Sequence, residues 1–444
     1  MENPRAPDYG ATPVRRIADS LTPAAQALAP SAAITMAERC DARAASGLDV
    51  TRLALGQSPF PVPDVMVAAL RAAAAERDYL PVRGLPALRR TIAEYVERRF
   101  QIDRTQDDVL IGPGSKELLF LLQTVFDGDL VVPTPAWVPY APQARVLGRA
   151  VIPVEARAET GWMPTPSEID AALGRGADER PRILVLNSPH NPTGLQYRAE
   201  DLQQIAIIAR RHGALVLSDE IYAELHHKGQ HASIARWYSE GTILSTGLSK
   251  WTGAGGWRLG AFVFPEELRG IEEAMARVAS ETYTSTSAPV QHAAIVAFAG
   301  DPEVERYLVN VRRVLSLVGR HTARRLGALG LVCPQPTGAF YVFADFGPKA
   351  AALARAGIAT SAALCERLLD DTGVALLPGS AFGRPAAELT VRVADGAFDG
   401  QKARAGVAVL PREQPLDDSF LLRHAPRVLD GLDRIGRWLK KLEG

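Results

Sequence analysis

Two cations bracket a glycine-rich run, Ser249-Lys250-Trp251-Thr252-Gly253-Ala254-Gly255-Gly256-Trp257-Arg258. A lysine in such a setting can shed its proton and attack an aldehyde as a nucleophile. An arginine presents a planar fork that suits phosphate, and glycines let a ligand approach the backbone closely. Alone, the run would read as a loop with a solvated lysine. Two stretches precede it, Asn187-Ser188-Pro189-His190-Asn191-Pro192-Thr193-Gly194 and Ser218-Asp219-Glu220-Ile221-Tyr222. Each follows a short apolar, strand-like run, 183–186 and 214–217. Ligands of open α/β sheets collect at such strand ends. Asn191 brings an amide donor there and Tyr222 a phenol. A carboxylate such as Asp219 is costly at a buried strand end unless a cation pairs with it; the alternative is an ordinary helix N-cap. Upstream, strand-like 109–112 leads through a glycine turn into a helix opened by Gly114-Ser115-Lys116. Free N–H groups and the helix dipole make that junction an anion site.

In this order, the three stretches around Asn191, Asp219 and Lys250 resemble the fold-type I, pyridoxal-phosphate-dependent aminotransferases of classes I and II. The resemblance runs from about residue 30 to the C-terminus. It implies pyridoxal 5'-phosphate carried on Lys250, which also moves the substrate proton. Asp219 would pair with the pyridine nitrogen and keep the ring an electron sink, while Asn191 and Tyr222 would bond the phenolate oxygen. Arg258, Ser249 and the backbone of Gly114, Ser115 and Lys116 would hold the phosphate. Trp137 would stack on the ring, although core filling explains an aromatic there equally, and Tyr140 is a neighbour of the same pocket. Tyr79, in Tyr79-Leu80-Pro81-Val82-Arg83-Gly84, would reach the phosphate of a neighbouring subunit in a two-fold homodimer; otherwise it is an aromatic helix terminator. The backbone of Gly56 and the side chain of Arg392 would meet the substrate carboxylate, with Asn191 beside them; a surface arginine on an edge strand is the plainer reading of Arg392.

The catalytic set is therefore Lys250, Asp219 and Tyr222. The implied reaction transfers an amino group between an L-amino acid and a 2-oxo acid. A lyase, decarboxylase or oxidase would use the same residues and stays open. A cofactor-binding regulator would need a helix-turn-helix alongside, and the 30 or so residues before the resemblance are neither basic nor helical enough. The chain departs from the family at Gln57, where an acidic residue is usual, and after Arg392, where Asp395 and Asp399 stand close enough in sequence to compete for it. Residues 400–416 look like an insertion. The aromatics Phe60, Trp137, Tyr140 and Trp251 fit either an aromatic-tolerant pocket or core packing.

These side chains need a scaffold, and the bulk numbers bound it. A chain of 444 residues exceeds one ordinary core, so two domains are expected. Apolar content of 47% and charged content of 23% are those of a globular enzyme. Basic and acidic residues balance at 50 each, so no net field draws nucleic acid or an acidic membrane. Cys40, Cys333 and Cys365 are too scattered for a disulfide framework or a metal site, which suits a reducing compartment. Without a signal-like or membrane-length apolar run, a cytoplasmic location is expected.

Periodicity and turn residues predict a Pro- and Ala-rich arm over 1–30 and helices over 32–45, 63–77, 85–100, 115–126, 199–212, 303–329 and 417–442. Strands are predicted at 50–55, 109–112, 130–133, 183–186, 214–217, 242–246, 259–264, 332–343, 373–378 and 389–393; 283–291 reads as a Ser/Thr-rich loop. The fold expected is α/β. A large domain, 56–317, would hold a mostly parallel sheet of the seven-stranded type between helices. A smaller α+β domain would join 31–55 to 318–444.

Overall fold

The computed structural model describes residues 20–176 and 180–443. Its strands in chain order are β1 (Thr51–Arg52), β2 (Val109–Gly112), β3 (Asp129–Thr134), β4 (Val151–Glu155), β5 (Arg182–Asn187), β6 (Leu215–Asp219), β7 (Thr242–Gly247), β8 (Gly260–Val263), β9 (Tyr341–Asp345), β10 (Val374–Ala375), β11 (Leu377–Pro378) and β12 (Thr390–Ala394). Seven of them form one sheet in the order β2-β8-β7-β6-β5-β3-β4. Only β8 runs against its neighbours; the other pairs are parallel.

The sheet is covered on both faces, which is why its strands are near-continuous apolar runs. In β5, Ile183 and Val185 face helices Ser115–Val125, Tyr140–Val146 and Arg269–Glu281, while Leu184 and Leu186 face helices Pro166–Gly174 and Ala199–Arg211. This is the period of two that a pleated strand imposes. The chain winds from β3 outward to β4, then returns through β5 to β6 and β7. The crevice between the carboxyl ends of β3 and β5 is therefore the switch point at which doubly wound sheets bind ligands.

A second, smaller sheet pairs β11, β12 and β9 antiparallel, and β1 pairs with β10. Helix Pro302–Ala328 joins the two regions. Asp301 caps it, accepting from the Glu303 amide at 2.7 Å, and Pro302 occupies its first turn. Its 27 residues span about 40 Å. The C-terminal helix Pro426–Glu443 covers the small sheet's region with one apolar stripe, Val428, Leu432, Ile435 and Leu439.

Several expected elements change length. The strand predicted at 50–55 pairs only over Thr51–Arg52, and the helix predicted at 63–77 is Asp64–Ala72. The strand at 332–343 is an isolated bridge at Val332 followed by β9, and 373–378 divides into β10 and β11. Helix Ala288–Phe298 begins inside the stretch read as a loop. The final helix is two, Asp418–His424 and Pro426–Glu443, because Pro426 has no N–H to give and disfavours helix at Ala425. The insertion at 400–416 contains helix Gly400–Ala408, capped by Asp399. Of the arm at 1–30, residues 1–19 lie outside the described residues; the remainder holds one helical turn, Pro23–Gln26.

Candidate active site

Three adjacent parallel strands end in polar residues on one edge of the large sheet. At the end of β5, Asn187 acts as a clamp: its Nδ2 donates to the Asp219 carbonyl at 2.8 Å, and its Oδ1 accepts from the Asn191 amide at 2.7 Å. The loop carrying Asn191 is thus fastened to the end of β6. Asp219, only 6% exposed, accepts from the Tyr140 hydroxyl at 2.5 Å and from the Ile221 amide at 3.4 Å. Burial pushes its carboxyl up to about 6, against the pull of those hydrogen bonds.

After β7, Lys250 turns its amine to the Gly56 carbonyl, 2.6 Å away. Burial pushes that amine down to about 8, and the charge of Arg392 adds to the shift while Asp219 opposes it. The Lys250 nitrogen lies 5.7 Å from the centre of the Tyr222 ring. The Tyr222 hydroxyl shares a hydrogen bond of 2.7 Å with Tyr341 at the start of β9.

The small sheet closes the other side. Arg392, in the middle of β12, is 4% exposed. It donates to Asn191 Oδ1 at 3.0 Å and to the Ala54 carbonyl at 2.6 Å, and its Nε has no partner among the described residues. Its guanidinium lies 4.6 Å from the Tyr341 ring and 4.9 Å from that of Phe382. A Cβ at Gly56 would stand 2.6 Å from the Tyr341 hydroxyl, so only glycine fits where these groups converge.

A second cluster lies at the N-terminus of helix Ser115–Val125. Gly114 has φ +96°, and a Cβ there would stand 2.4 Å from Arg258 Nη2. Arg258 donates to the Pro113 and Gly255 carbonyls at 3.2 and 2.9 Å. A Cβ on Gly260 would come within 2.3 Å of the Ser115 amide nitrogen. The arginine is therefore laid over a helix start that presents free N–H groups. Lys116 Nζ lies 5.6 Å from the Trp137 ring, and burial and the nearby Arg258 lower its pKa. Trp137 meets Tyr140 edge-on at 5.3 Å, which links this cluster to Asp219.

Lys250, Asp219, Asn191, Tyr222, Gly56 and Arg392 thus share one connected site, and Gly114, Ser115, Lys116 and Arg258 form its neighbour; Ser249 is half-buried next to Lys250. Tyr79 is 89% exposed and meets neither cluster within one chain. Asp395 and Asp399 do not compete for Arg392. Asp395 is buried and accepts from the Thr322 hydroxyl at 2.8 Å, and Asp399 accepts from the Lys402 amide at 3.0 Å. Sequence reasoning missed Tyr341 and Phe382 altogether and saw Tyr140 only as a pocket neighbour. A buried tyrosine needs a polar partner, and that is the signal by which Tyr140 and Tyr341 could have been sought.

The sequence family described as aminotransferase class I and II matches residues 48–397. The aspartate/prephenate aminotransferase of Thermus thermophilus is 35% identical over 368 residues, covering 80% of this chain and 90% of that protein. The aspartate aminotransferase of Geobacillus stearothermophilus is 34% identical, with 81% and 90% covered. In three dimensions, the Thermus thermophilus aspartate aminotransferase solved with maleate superposes with a TM-score of 0.80 at 29% identity, over 94% of this chain and 99% of that one. With a match across most of its length and relatives of this closeness, the chain belongs to the class I and II aminotransferases, fold-type I enzymes that pass an amino group between an amino acid and a 2-oxo acid.

Proposed function

We propose that the site takes pyridoxal 5'-phosphate and that Lys250, Asp219 and Tyr222 are its catalytic residues. The observation that carries this is the junction of Lys250 and Asp219: a half-buried amine pushed down to about 8, within electrostatic reach of a buried carboxylate that makes no ion pair among the described residues. The donor set fits the cofactor group by group. Asp219 supplies an acceptor for a protonated pyridine nitrogen, Tyr222 presents its ring to the Lys250 amine, and Asn191 stands against Arg392. Gly114, Ser115, Lys116, Ser249 and Arg258 supply a phosphate seat that a Cβ on Gly114 would fill.

The bound cofactor supplies an aldehyde for the amino group and an electron sink for the substrate's α-carbon. Lys250, neutral for part of the time near pH 8, accepts the proton from the substrate Cα and returns it. Arg392 holds the α-carboxylate as a fork, its unpaired Nε already desolvated. Gly56 leaves room for that carboxylate, and Asn191 orients Arg392 through the 3.0 Å bond. Tyr341 and Phe382 keep water from the guanidinium faces.

The proposal includes a homodimer in which Tyr79, exposed in one chain, reaches the partner's phosphate seat. It keeps the division into a large domain, 56–317, and a small one, 31–55 with 318–444, and a cytoplasmic location. Among the described residues, no helix is long and apolar enough to cross a membrane. The names of the relatives make aspartate the first amino donor to try. Given aspartate and no acceptor, cofactor-loaded protein should release a stoichiometric amount of 2-oxo acid and change its absorbance, and a 2-oxo acid should reverse the change. Release of ammonia, carbon dioxide or hydrogen peroxide instead would assign a lyase, decarboxylase or oxidase. Mixing Tyr79→Phe with Lys250→Ala subunits should restore some activity; a fully active monomer in sedimentation would reject the shared site.

A further inference from the structure

The family match ends at residue 397, and the residues beyond it help to wall a cavity that the lysine and aspartate site does not use. It measures about 590 Å³, within the range of small-molecule sites. One wall is the stretch 396–402 with 423–427, and the opposite wall is β1 with residues 55–59. Neither Lys250, Asp219 nor Arg392 lines it.

Its lining is cationic and apolar together. Arg52, Lys402, Arg423 and Arg427 line it against one carboxylate, Asp399. Arg52 is held by Asp41 at 2.6 Å, Lys402 by Asp399 at 3.4 Å, and Arg427 by Asp49. Arg423 makes no ion pair and no side-chain hydrogen bond among the described residues; Asp417 and the adjacent His424, which also lines the cavity, lie within range of its charge. One guanidinium therefore keeps its donors for a ligand, beside three cations that are each paired with a carboxylate. Leu55 and Phe398 supply apolar surface beside it. We propose that this cavity binds a small organic anion, one with a single carboxylate or phosphate-type head and an apolar body, and that its occupation tightens substrate binding.

The coupling is short. Residues 55–59 carry Gly56, whose carbonyl receives the Lys250 amine, and just before them Ala54 gives its carbonyl to Arg392. The other wall presses on the same stretch: a Cβ at Gly400 would stand 2.1 Å from the Pro59 carbonyl oxygen, and Phe398 meets Phe60 edge-on at 5.7 Å. Strand β12 leads from Arg392 directly into that wall. An occupant bridging both walls fixes the backbone that orients Arg392 and Lys250, and a preorganised grip binds its carboxylate more tightly.

The test uses calorimetry on cofactor-loaded enzyme with phenylphosphonate as probe and inorganic phosphate as the head group alone. Phenylphosphonate should bind at least about tenfold more tightly than phosphate, which is the share expected of a buried apolar body. The double variant Arg423→Glu, Lys402→Glu should lose that binding at least about tenfold, and Arg423→Lys should keep most of it, as an ion-to-ion contact requires. Without the anion, the double variant should match the wild type in kcat and KM; with it, only the wild type should show a several-fold lower KM for the amino donor. Undiminished binding by the double variant, equal affinity for phosphate, or simple competition with the amino donor would overturn the proposal. The calorimetric arms do not depend on which reaction the enzyme performs.

Discussion

The two sheets furnish the same site by different means. The large sheet delivers its groups at the carboxyl ends of parallel strands: Asn187 from β5, Asp219 from β6, and Lys250 just past β7. Two of these groups titrate near neutrality, the Asp219 carboxyl pushed up to about 6 and the Lys250 amine pushed down to about 8. The small sheet delivers Arg392 from mid-strand and Tyr341 from the antiparallel neighbour, paired in the register Arg392 to Phe343 and Ala394 to Tyr341. Its cation stays charged at every working pH, is stacked between aromatic rings, and is held by carbonyl and amide oxygens. The first region is built to exchange protons and the second to hold a fixed charge in place. Turnover should therefore depend on the first and substrate affinity on the second.

The largest effect expected is on Asp219. Asp219→Ala should lower kcat by several orders of magnitude and weaken cofactor retention, whereas Asp219→Glu should do less harm because a carboxylate remains. An alanine protein with wild-type kcat would remove the large sheet from the chemistry. Next comes Arg392→Ala, which removes a buried charge-assisted contact worth about 2–5 kcal/mol. That loss should fall on KM for the amino donor while cofactor binding is spared. Should kcat fall instead and KM stay, the division between the two regions fails.

Asp219 also sharpens the comparison without any substrate. Its carboxyl is raised from 3.8 to about 6, so the folded state binds the proton more tightly than the unfolded chain. The stabilisation from that proton is full below pH 4 and is lost as the pH rises through 6. At pH 7 cofactor-free Asp219→Asn should be more stable than the wild type by on the order of 2–3 kcal/mol, since a pKa unit is worth about 1.4 kcal/mol. The gap should close between pH 6 and pH 4 in urea titrations. A gap that ignores pH would mean that the carboxylate is not buried against an apolar surround. Arg392, charged throughout, should give no such window.

The same contrast explains what could be read from the sequence. Each parallel strand places its polar residue at the point where the apolar run stops, so Asn191, Asp219 and Lys250 stood out as short linear patterns. The strand at 183–186 was legible for the same reason, since a short apolar run is a local signal. Tyr341 lies 119 residues from the Tyr222 hydroxyl it bonds, and no local pattern records an antiparallel register. The break at Pro426 was legible in principle, because proline cannot continue a helix interior, but the amphipathic stripe on both sides concealed it. Tyr79 stood out as a pattern, but within one chain its side chain is exposed and meets neither cluster.

The smallest effect expected is the one that tells the two regions apart at their seam. Tyr341 belongs to the small sheet, yet its hydroxyl bonds Tyr222 of the large one at 2.7 Å while its ring stacks on Arg392. Tyr341→Phe deletes the first contact and keeps the second. Its cost should be that of one hydrogen bond, about 1 kcal/mol, or about fivefold in rate. The loss should appear in kcat, because Tyr222 is left with an unbonded hydroxyl beside Lys250 while the guanidinium keeps its ring. Tyr341→Leu removes both contacts and should raise KM as well, since Arg392 then loses one of its two aromatic faces. If phenylalanine raises KM and leaves kcat alone, the hydroxyl serves the substrate carboxylate through Gly56 and Arg392, and Tyr222 owes its position to the large sheet alone.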